Sequence, residues 1–562
     1  MSRPGNGCIA LIAAAALTAC TSAPLALTPP GRAPENNTVP TPTREVIIGV
    51  DRLLGGFNPH TLADLTPVST AVAGLVLPSA FRQQPDGQWV LDDTLLISAE
   101  VTGTEPFTVT YRIRHDAQWS NTAPIAAEDF GYLAEQMRTQ PGVVDSAGYQ
   151  LIDQVESRDG GKTVEVVFRR PYAGWRTLFR QLLPAHLLKD APGGWSQALD
   201  EGLGVSGGPF TLSSLDSARG ELLLVRNDRY WDTPAQVDRI LLREGSDAAV
   251  VDALRTGGAQ AALFGYPDAI TELLLGEANV PVTATVVPQP IVASILLRPA
   301  GTVLDDQRMR VAVAGMLDRP GLIATGTASG PSTALRADSQ VLAPSQPTYR
   351  PSAPASGPAV APEPDTTHRL LTEAGYTRGP SGWERAGQPL RLVVAAPADR
   401  EPYGVLATRV AAALQAAGIG VDLRLIPPAE LFDTLAPTAT GADIVVVPRP
   451  TAGDPATQLA SWHGCPLVVP ARLTAAPPNP AGLCDLSLQP LIEQALTLEE
   501  STGAPAPAVD PAVEAGLWEL VVTVPLYQQA WLWVTTPALE DAAPGAPLEG
   551  PLDAAQHWRL RR

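Results

Sequence analysis

A ten-residue apolar run at positions 8–17 (CIALIAAAAL), closing on Leu17-Thr18-Ala19-Cys20, decides where this chain folds and so what can hold it together. Ten residues are half of the ~20 that cross a bilayer. With Arg3 ahead of it, the run has the form of a secretory signal h-region. Small residues followed by a cysteine make a lipobox, in which the cysteine thiol receives a diacylglycerol. The expectation is therefore that residues 1–19 are a signal peptide and that Cys20 is lipidated. The mature chain would then be held on the extracytoplasmic side of the cell membrane. No later stretch reads as a transmembrane helix. Residues 21–44 (TSAPLALTPPGRAPENNTVPTPTR) are rich in Pro, Thr and Ala, the composition of an extended, disordered tether.

Export also decides the cysteines. With Cys8 removed and Cys20 acylated, Cys465 and Cys484 remain of the 4 in the chain. In an oxidising space such a pair reads as a disulfide, here closing a proline-rich loop. His463 raises the thought of zinc, but a zinc site takes three or four ligands and no fourth is evident. The formal charge of −19 repels phosphate backbones and argues against nucleic acid as a partner; the basic end Arg559-Leu560-Arg561-Arg562 is short enough to be a solvated tail. The 11 tryptophans suit either a sugar-stacking cleft or core filling.

Folded sequence is expected from Glu45-Val46-Ile47-Ile48-Gly49-Val50, an apolar strand. Period-2 alternation at Val109-Thr110-Tyr111-Arg112-Ile113 and Val164-Glu165-Val166-Val167-Phe168 predicts half-buried strands. A helix is predicted from Ala126 through Met137, with further helices over 368–374 and 402–417. Gly418 ends the last of these, and the strand 419–426 follows. Ile444-Val445-Val446-Val447 reads as a strand inside a covered sheet. The sum is α/β with mixed sheets, interrupted by proline-rich surface insertions at 344–364 and 503–511.

Several blocks carry a resemblance. They are Phe57-Asn58-Pro59-His60; Trp119-Ser120 followed by Ala127-Glu128-Asp129-Phe130; Gly207-Gly208-Pro209-Phe210; Arg226-Asn227-Asp228-Arg229-Tyr230-Trp231; the helix at 306–318; Leu370-Leu371-Thr372-Glu373-Ala374-Gly375-Tyr376; and Pro525-Leu526-Tyr527. In this order, over about residues 45–535, they resemble the family 5 extracellular solute-binding proteins, the oligopeptide- and dipeptide-binding class of ABC importers. The resemblance implies a two-lobed periplasmic-binding-protein-like α/β fold of type II with an extra subdomain and a ligand cleft between the lobes. Lobe I would take 45–285 plus 525–562, with the inserted subdomain at about 80–200. Lobe II would take 286–524. The strings at 56–60, 75–82 and 140–145 are similar to one actinobacterial lipoprotein branch, associated with phosphatidylinositol mannosides and with control of lipomannan and lipoarabinomannan synthesis.

By that resemblance the cleft walls would include the turn Leu54-Gly55-Gly56-Phe57, with Arg449 and Trp462 from lobe II and Trp119 and Phe210 as weaker members. Peptide binders of the family capture the ligand's α-amino group with an Asp shortly after the buried lobe II strand. Here small neutral residues stand before Asp454-Pro455, and Arg449 enters nearby, better suited to a phosphate or carboxylate. The resemblance thus implies a monomeric receptor for a glycolipid or a peptide, without cofactor, partnered by an ABC permease or, in the regulatory branch, by a mannosyltransferase. An enzyme is not expected. None of the 6 histidines lies in a hydrolase or zinc-protease motif, and Asp159-Gly160-Gly161-Lys162-Thr163, between two strands, reads as a hairpin turn.

Overall fold

The computed structural model describes residues 44–53, 56–299, 303–433, 435, 441–451, 453–465, 479–497 and 509–561. Residues 1–43, expected to hold the signal peptide, Cys20 and the tether, Leu54 and Gly55 of the expected cleft wall, and most of the 503–511 segment lie outside them. Arg44 already belongs to the fold. Its backbone N–H and guanidinium donate to the Asp238 carboxylate, at 2.8 and 3.0 Å.

The predicted strands and helices form with small shifts at their ends. Strands run over Glu45–Val50, Phe107–Ile113, Thr163–Phe168, Gly420–Ile426 and Ile444–Pro450, and helices over Ala127–Thr139, Pro364–Glu373 and Tyr403–Ala416. Gly418 follows the last helix with φ +87°, and the Ile419 N–H reaches back to the Leu414 carbonyl at 3.0 Å, a left-handed helix stop that suits glycine. Asp159-Gly160-Gly161 turns between the antiparallel strands Ile152–Arg158 and Thr163–Phe168.

Ten strands make one mixed sheet, in the order Gly420–Ile426, Arg391–Pro397, Ile444–Pro450, Thr283–Leu297, Thr523–Thr535, Ala261–Phe264, Glu45–Val50, Arg239–Glu244, Glu221–Arg226 and Phe210–Asp216. Two strands are much longer than the rest, at 15 and 13 residues. They carry the sheet from one lobe into the other. Ala530–Thr535 pairs with Thr283–Pro288 while its far edge meets Ala261–Phe264. Beyond a register break between Pro288 and Val292, the first long strand turns its other edge to Ile444–Pro450. That break is where chain continuity passes between lobes. Lobe I also carries a separate four-stranded sheet, Leu96–Thr104, Phe107–Ile113, Thr163–Phe168 and Ile152–Arg158, and each lobe has its own apolar core.

The 344–364 insertion lies at the surface, exposed or half-buried except at Ala359 and Val360, but it is anchored. Ser352 donates to Glu514 (2.6 Å) and accepts from the Trp518 indole (3.1 Å), and Ala359 and Val360 join the lobe II core. The segment is a strap tied down by these half-buried hydrogen bonds. Cys465 and Cys484 are bonded, with Cα atoms 4.5 Å apart. The segment they close is largely outside the described residues.

Candidate functional site

The register break places three glutamines where the lobes meet, and a polar side chain there must find a partner or a ligand. Gln289 donates to the Gly265 carbonyl at 2.6 Å, Gln528 to the Gln289 carbonyl at 2.7 Å and Gln529 to the Tyr403 hydroxyl at 3.0 Å. All three are buried, yet Gln289 Oε1, Gln529 Oε1 and Tyr527 Oη have no hydrogen-bond partner among the described residues. Tyr527 and Gln529 of the crossing strand line a small cleft cavity of about 30 Å³, whose other walls include Tyr266 and Asp268 from lobe I and Ser332 and Pro402 from lobe II.

Acids and two arginines stand at this junction. Asp51 accepts from the Gly265 and Tyr266 N–H groups at 2.8 and 3.1 Å and so holds the loop that lines the cavity. Asp64 accepts from the Asn58 N–H at 2.9 Å. It also explains Gly56, whose φ is +91° and where a Cβ would lie 2.6 Å from the Asp64 carboxyl carbon. Arg400 of lobe II crosses to the lobe I carbonyls of Ala63 and Leu65, the latter at 3.0 Å. From the other side Arg52 donates to the Asp399 carbonyl at 3.1 Å. The lobes are in direct contact.

A second interlobe cavity, again about 30 Å³, lies between the lobe I insertion and lobe II. It is lined by Trp89, Asp145, Tyr149, Arg180, Gly453 and Thr457, among others. Each cavity has room for only about two waters, so the arrangement is closed. The Arg180 guanidinium lies 5.4 Å from the Trp89 ring centre and faces Asp145, whose Oδ1 has no hydrogen-bond partner among the described residues. The indole lies against Gly453. A Cβ there would fall inside contact with the ring, 2.8 Å from Cε2 and 3.1 Å from Cη2. Tyr172 and Thr457 close the lobes behind it with a 2.6 Å hydroxyl pair.

Burial raises three of these carboxyls to about 6. For Asp51 the amides of Tyr266 and Gly265 oppose the rise, for Asp64 the Asn58 amide and Arg400, and for Asp145 the Arg180 charge. A folded-state value above the unfolded ~3.9 means that the folded protein holds protons more tightly. Their contribution to stability is therefore complete below about pH 4 and is lost as pH rises through about 6. His60 and His463, which burial lowers to about 4 and about 3, act the other way over the same interval, so the Asp51 share is read by difference: the denaturant midpoint of Asp51→Asn should gain on that of the parent between pH 4.5 and 7. A difference that stays constant over that interval would contradict the assignment.

The expected site residues are dispersed. Gly56 touches the junction through Asp64, and Phe57 turns into the lobe I core. Trp119 is fully buried with its N–H on Asp129 (3.3 Å), and Phe210 is equally buried where its strand begins; both are lobe I core. Trp462 packs with Leu431, Phe432, Val447 and Leu459 inside lobe II. Arg449, on the strand face of Val445 and Val447, points beneath the helix Pro455–His463 and donates to the Val341 carbonyl at 2.9 Å, a carbonyl that also accepts from Gln458 on that helix. Asp454 caps that helix through the Thr457 N–H at 2.8 Å. Of the residues that do line the interlobe space, Asp145 closes the 140–145 string of the resemblance, while Trp89, Arg180, Tyr266 and Arg400 carry no local pattern in the sequence.

Comparison with known proteins agrees with this architecture. Residues 96–467 match the bacterial extracellular solute-binding proteins, family 5 Middle. The chain is 35% identical to the probable monoacyl phosphatidylinositol tetramannoside-binding protein LpqW of Mycobacterium tuberculosis, over 98% of this chain and 97% of that one. It is 29% identical to the oligopeptide-binding protein OppA of the same species, over 57% of this chain and 54% of that one. In structure it resembles the oligopeptide-binding protein AppA of Bacillus subtilis, solved in complex with a nonapeptide, with a TM-score of 0.73 at 14% identity over 93% of this chain and 100% of that one.

Proposed function

The chain belongs to the family 5 extracellular solute-binding proteins, and from that premise we propose that it is a lipid-anchored receptor that takes a mannosylated phosphoinositide headgroup between its lobes and regulates lipomannan and lipoarabinomannan synthesis. The observation that carries the reading is the closure at Trp89. An indole face, a carboxylate with an unpartnered oxygen and a guanidinium, all from the lobe I insertion, converge there against Gly453 and Thr457 of lobe II. An aromatic face packs on the apolar side of a sugar ring, the carboxylate accepts from sugar hydroxyls, and the guanidinium, which spends one nitrogen on the Leu548 carbonyl and Glu549, keeps N–H groups for a phosphate. The lobe II acid that could meet a peptide ammonium, Asp454, is engaged as a helix cap. The extended likeness to a protein named for a phosphatidylinositol tetramannoside supports the same ligand class. The site has the makings of a binder; its groups hold a ligand by hydrogen bonds and stacking, and no nucleophile–base pair is used.

A ligand that binds only the folded state adds RT ln(1 + [L]/Kd), about 2.7 kcal/mol at a hundredfold excess. In a thermal-shift panel, short-chain phosphatidylinositol mannosides should stabilise the protein and peptides should not. Stabilisation by peptides alone would favour the second reading, a transport receptor that hands peptides to an ABC permease, which the OppA and AppA likenesses support. The anchor is tested separately: Cys20→Ala should move the protein from the membrane to the soluble fraction, and unchanged detergent partition would remove the lipid from the proposal.

A further inference from the structure

Away from the interlobe space, lobe II holds a cavity of about 350 Å³, more than ten times either cleft cavity and within the ~300–1,000 Å³ range of small-molecule sites. Four elements converge on it. The helix Gln307–Ala314 ends at Gly315 and Met316, Pro362 and the first turn of Pro364–Glu373 bring Thr367 and His368, the hairpin of Thr377–Gly379 and Gly382–Arg385 brings Arg378 and Trp383, and Tyr403–Ala416 ends at Ala417. That last helix has Pro402 of the cleft at one end and Ala417 of this cavity at the other. Its 14 residues separate the two by about 21 Å at ~1.5 Å per residue.

The floor is preorganised. The Trp383 indole N–H donates to the Ala417 carbonyl at 3.1 Å, so its polar atom is satisfied and the ring is held. His368 stands edge-on to the ring at 5.1 Å and the Arg378 guanidinium lies 5.6 Å from its centre. Met316, Pro362 and Pro364 complete an apolar wall. Arg378 is exposed and spends one nitrogen on the Ala417 carbonyl. No carboxylate pairs with it among the described residues, whereas most of the exposed arginines that make hydrogen bonds have one. A half-open apolar pocket with an exposed arginine on its wall that no carboxylate pairs among the described residues matches one kind of molecule: an apolar chain ending in an anion.

We propose that this cavity is a second ligand site, independent of the interlobe cleft, for a single acyl chain whose anionic head group, carboxylate or phosphate, sits at Arg378. Trp383 and Met316 hold the chain and Arg378 fixes its polarity. The site does not depend on the headgroup reading of the cleft.

The test uses the full chain carrying Cys20→Ala, so that the protein supplies no acyl chain of its own. Dodecanoate, dodecyl phosphate and dodecyl maltoside are titrated calorimetrically below their micelle concentrations. Expected is saturable 1:1 binding of at least one anion, weakened tenfold or more in Arg378→Gln and abolished in Met316→Trp, which fills the chamber, with Trp89→Ala unchanged. Which of the two anions binds identifies the head group. Absence of saturable binding by both anions overturns the proposal. So does equal binding of the maltoside, or unchanged binding in a Met316→Trp variant that melts like the parent. Loss in Trp89→Ala would place the ligand in the cleft instead and overturn it equally.

Discussion

Gly453→Ala is expected to lower affinity for the cleft ligand by roughly 30- to 1,000-fold, the ~2–4 kcal/mol typical of a lost aromatic anchor. The argument is steric. An added Cβ would overlap the six-membered edge of the Trp89 indole, with Cε2 at 2.8 Å and Cη2 at 3.1 Å. A planar ring cannot yield by a few tenths of an ångström along its own plane, so the indole must rotate out. It then loses its stacking with Arg180, its long 3.5 Å contact to the Gly453 carbonyl and its place against lobe II. Folding stability should change little, because Trp89 sits on a three-residue strand at the lobe boundary and is only partly buried. Trp89 emission should shift red while the melting temperature holds. Parental affinity in Gly453→Ala, measured calorimetrically with a phosphatidylinositol mannoside, would take Trp89 out of the binding surface.

That pair also shows where the sequence stops being legible. Trp89 and Gly453 lie 364 positions apart, and neither stands in a periodic or motif context that points to the other. Strands such as Phe107–Ile113 were readable because one face is buried and the alternation is local, and the end of Tyr403–Ala416 was readable because Gly418 must adopt a left-handed backbone. The cleft is different. Its groups come from loops after several strands, and they meet only because two long strands carry the sheet through both lobes. Asp51, Asp64, Asp145 and Arg180 look like ordinary surface charges until the lobes close on them. The resemblance located the turn at Gly56, and the structure supplies its reason in Asp64. For Arg449 a local signal existed. The strand alternates, so Arg449 shares a face with Val445 and Val447, and a face that apolar is covered. Its chemistry suggested a ligand while its parity suggested the interior.

Arg449 therefore leads to the opposite of a binding defect. Its Nε and Nη2 have no hydrogen-bond partner among the described residues, it is fully buried, and burial draws its ordinary value down to about 10 against the pull of Glu514. Glu514 itself is satisfied without it, accepting from Ser339 (2.6 Å), the Gln340 and Val341 N–H groups (2.9 and 3.2 Å) and Ser352 (2.6 Å). The carbonyl that Arg449 serves among the described residues, that of Val341, keeps the Gln458 amide. Among the described residues Arg449 makes no ion pair, so an unbranched apolar chain of similar reach removes its desolvation cost without breaking a pair, the event that costs about 3–5 kcal/mol, whereas truncation leaves a cavity that costs about 2–5 kcal/mol. Arg449→Met should accordingly raise the urea midpoint or leave it in place, Arg449→Ala should lower it, and both should bind the cleft ligand with parental affinity once folded. Loss of binding in a stable Arg449→Met protein would return this side chain to the ligand site.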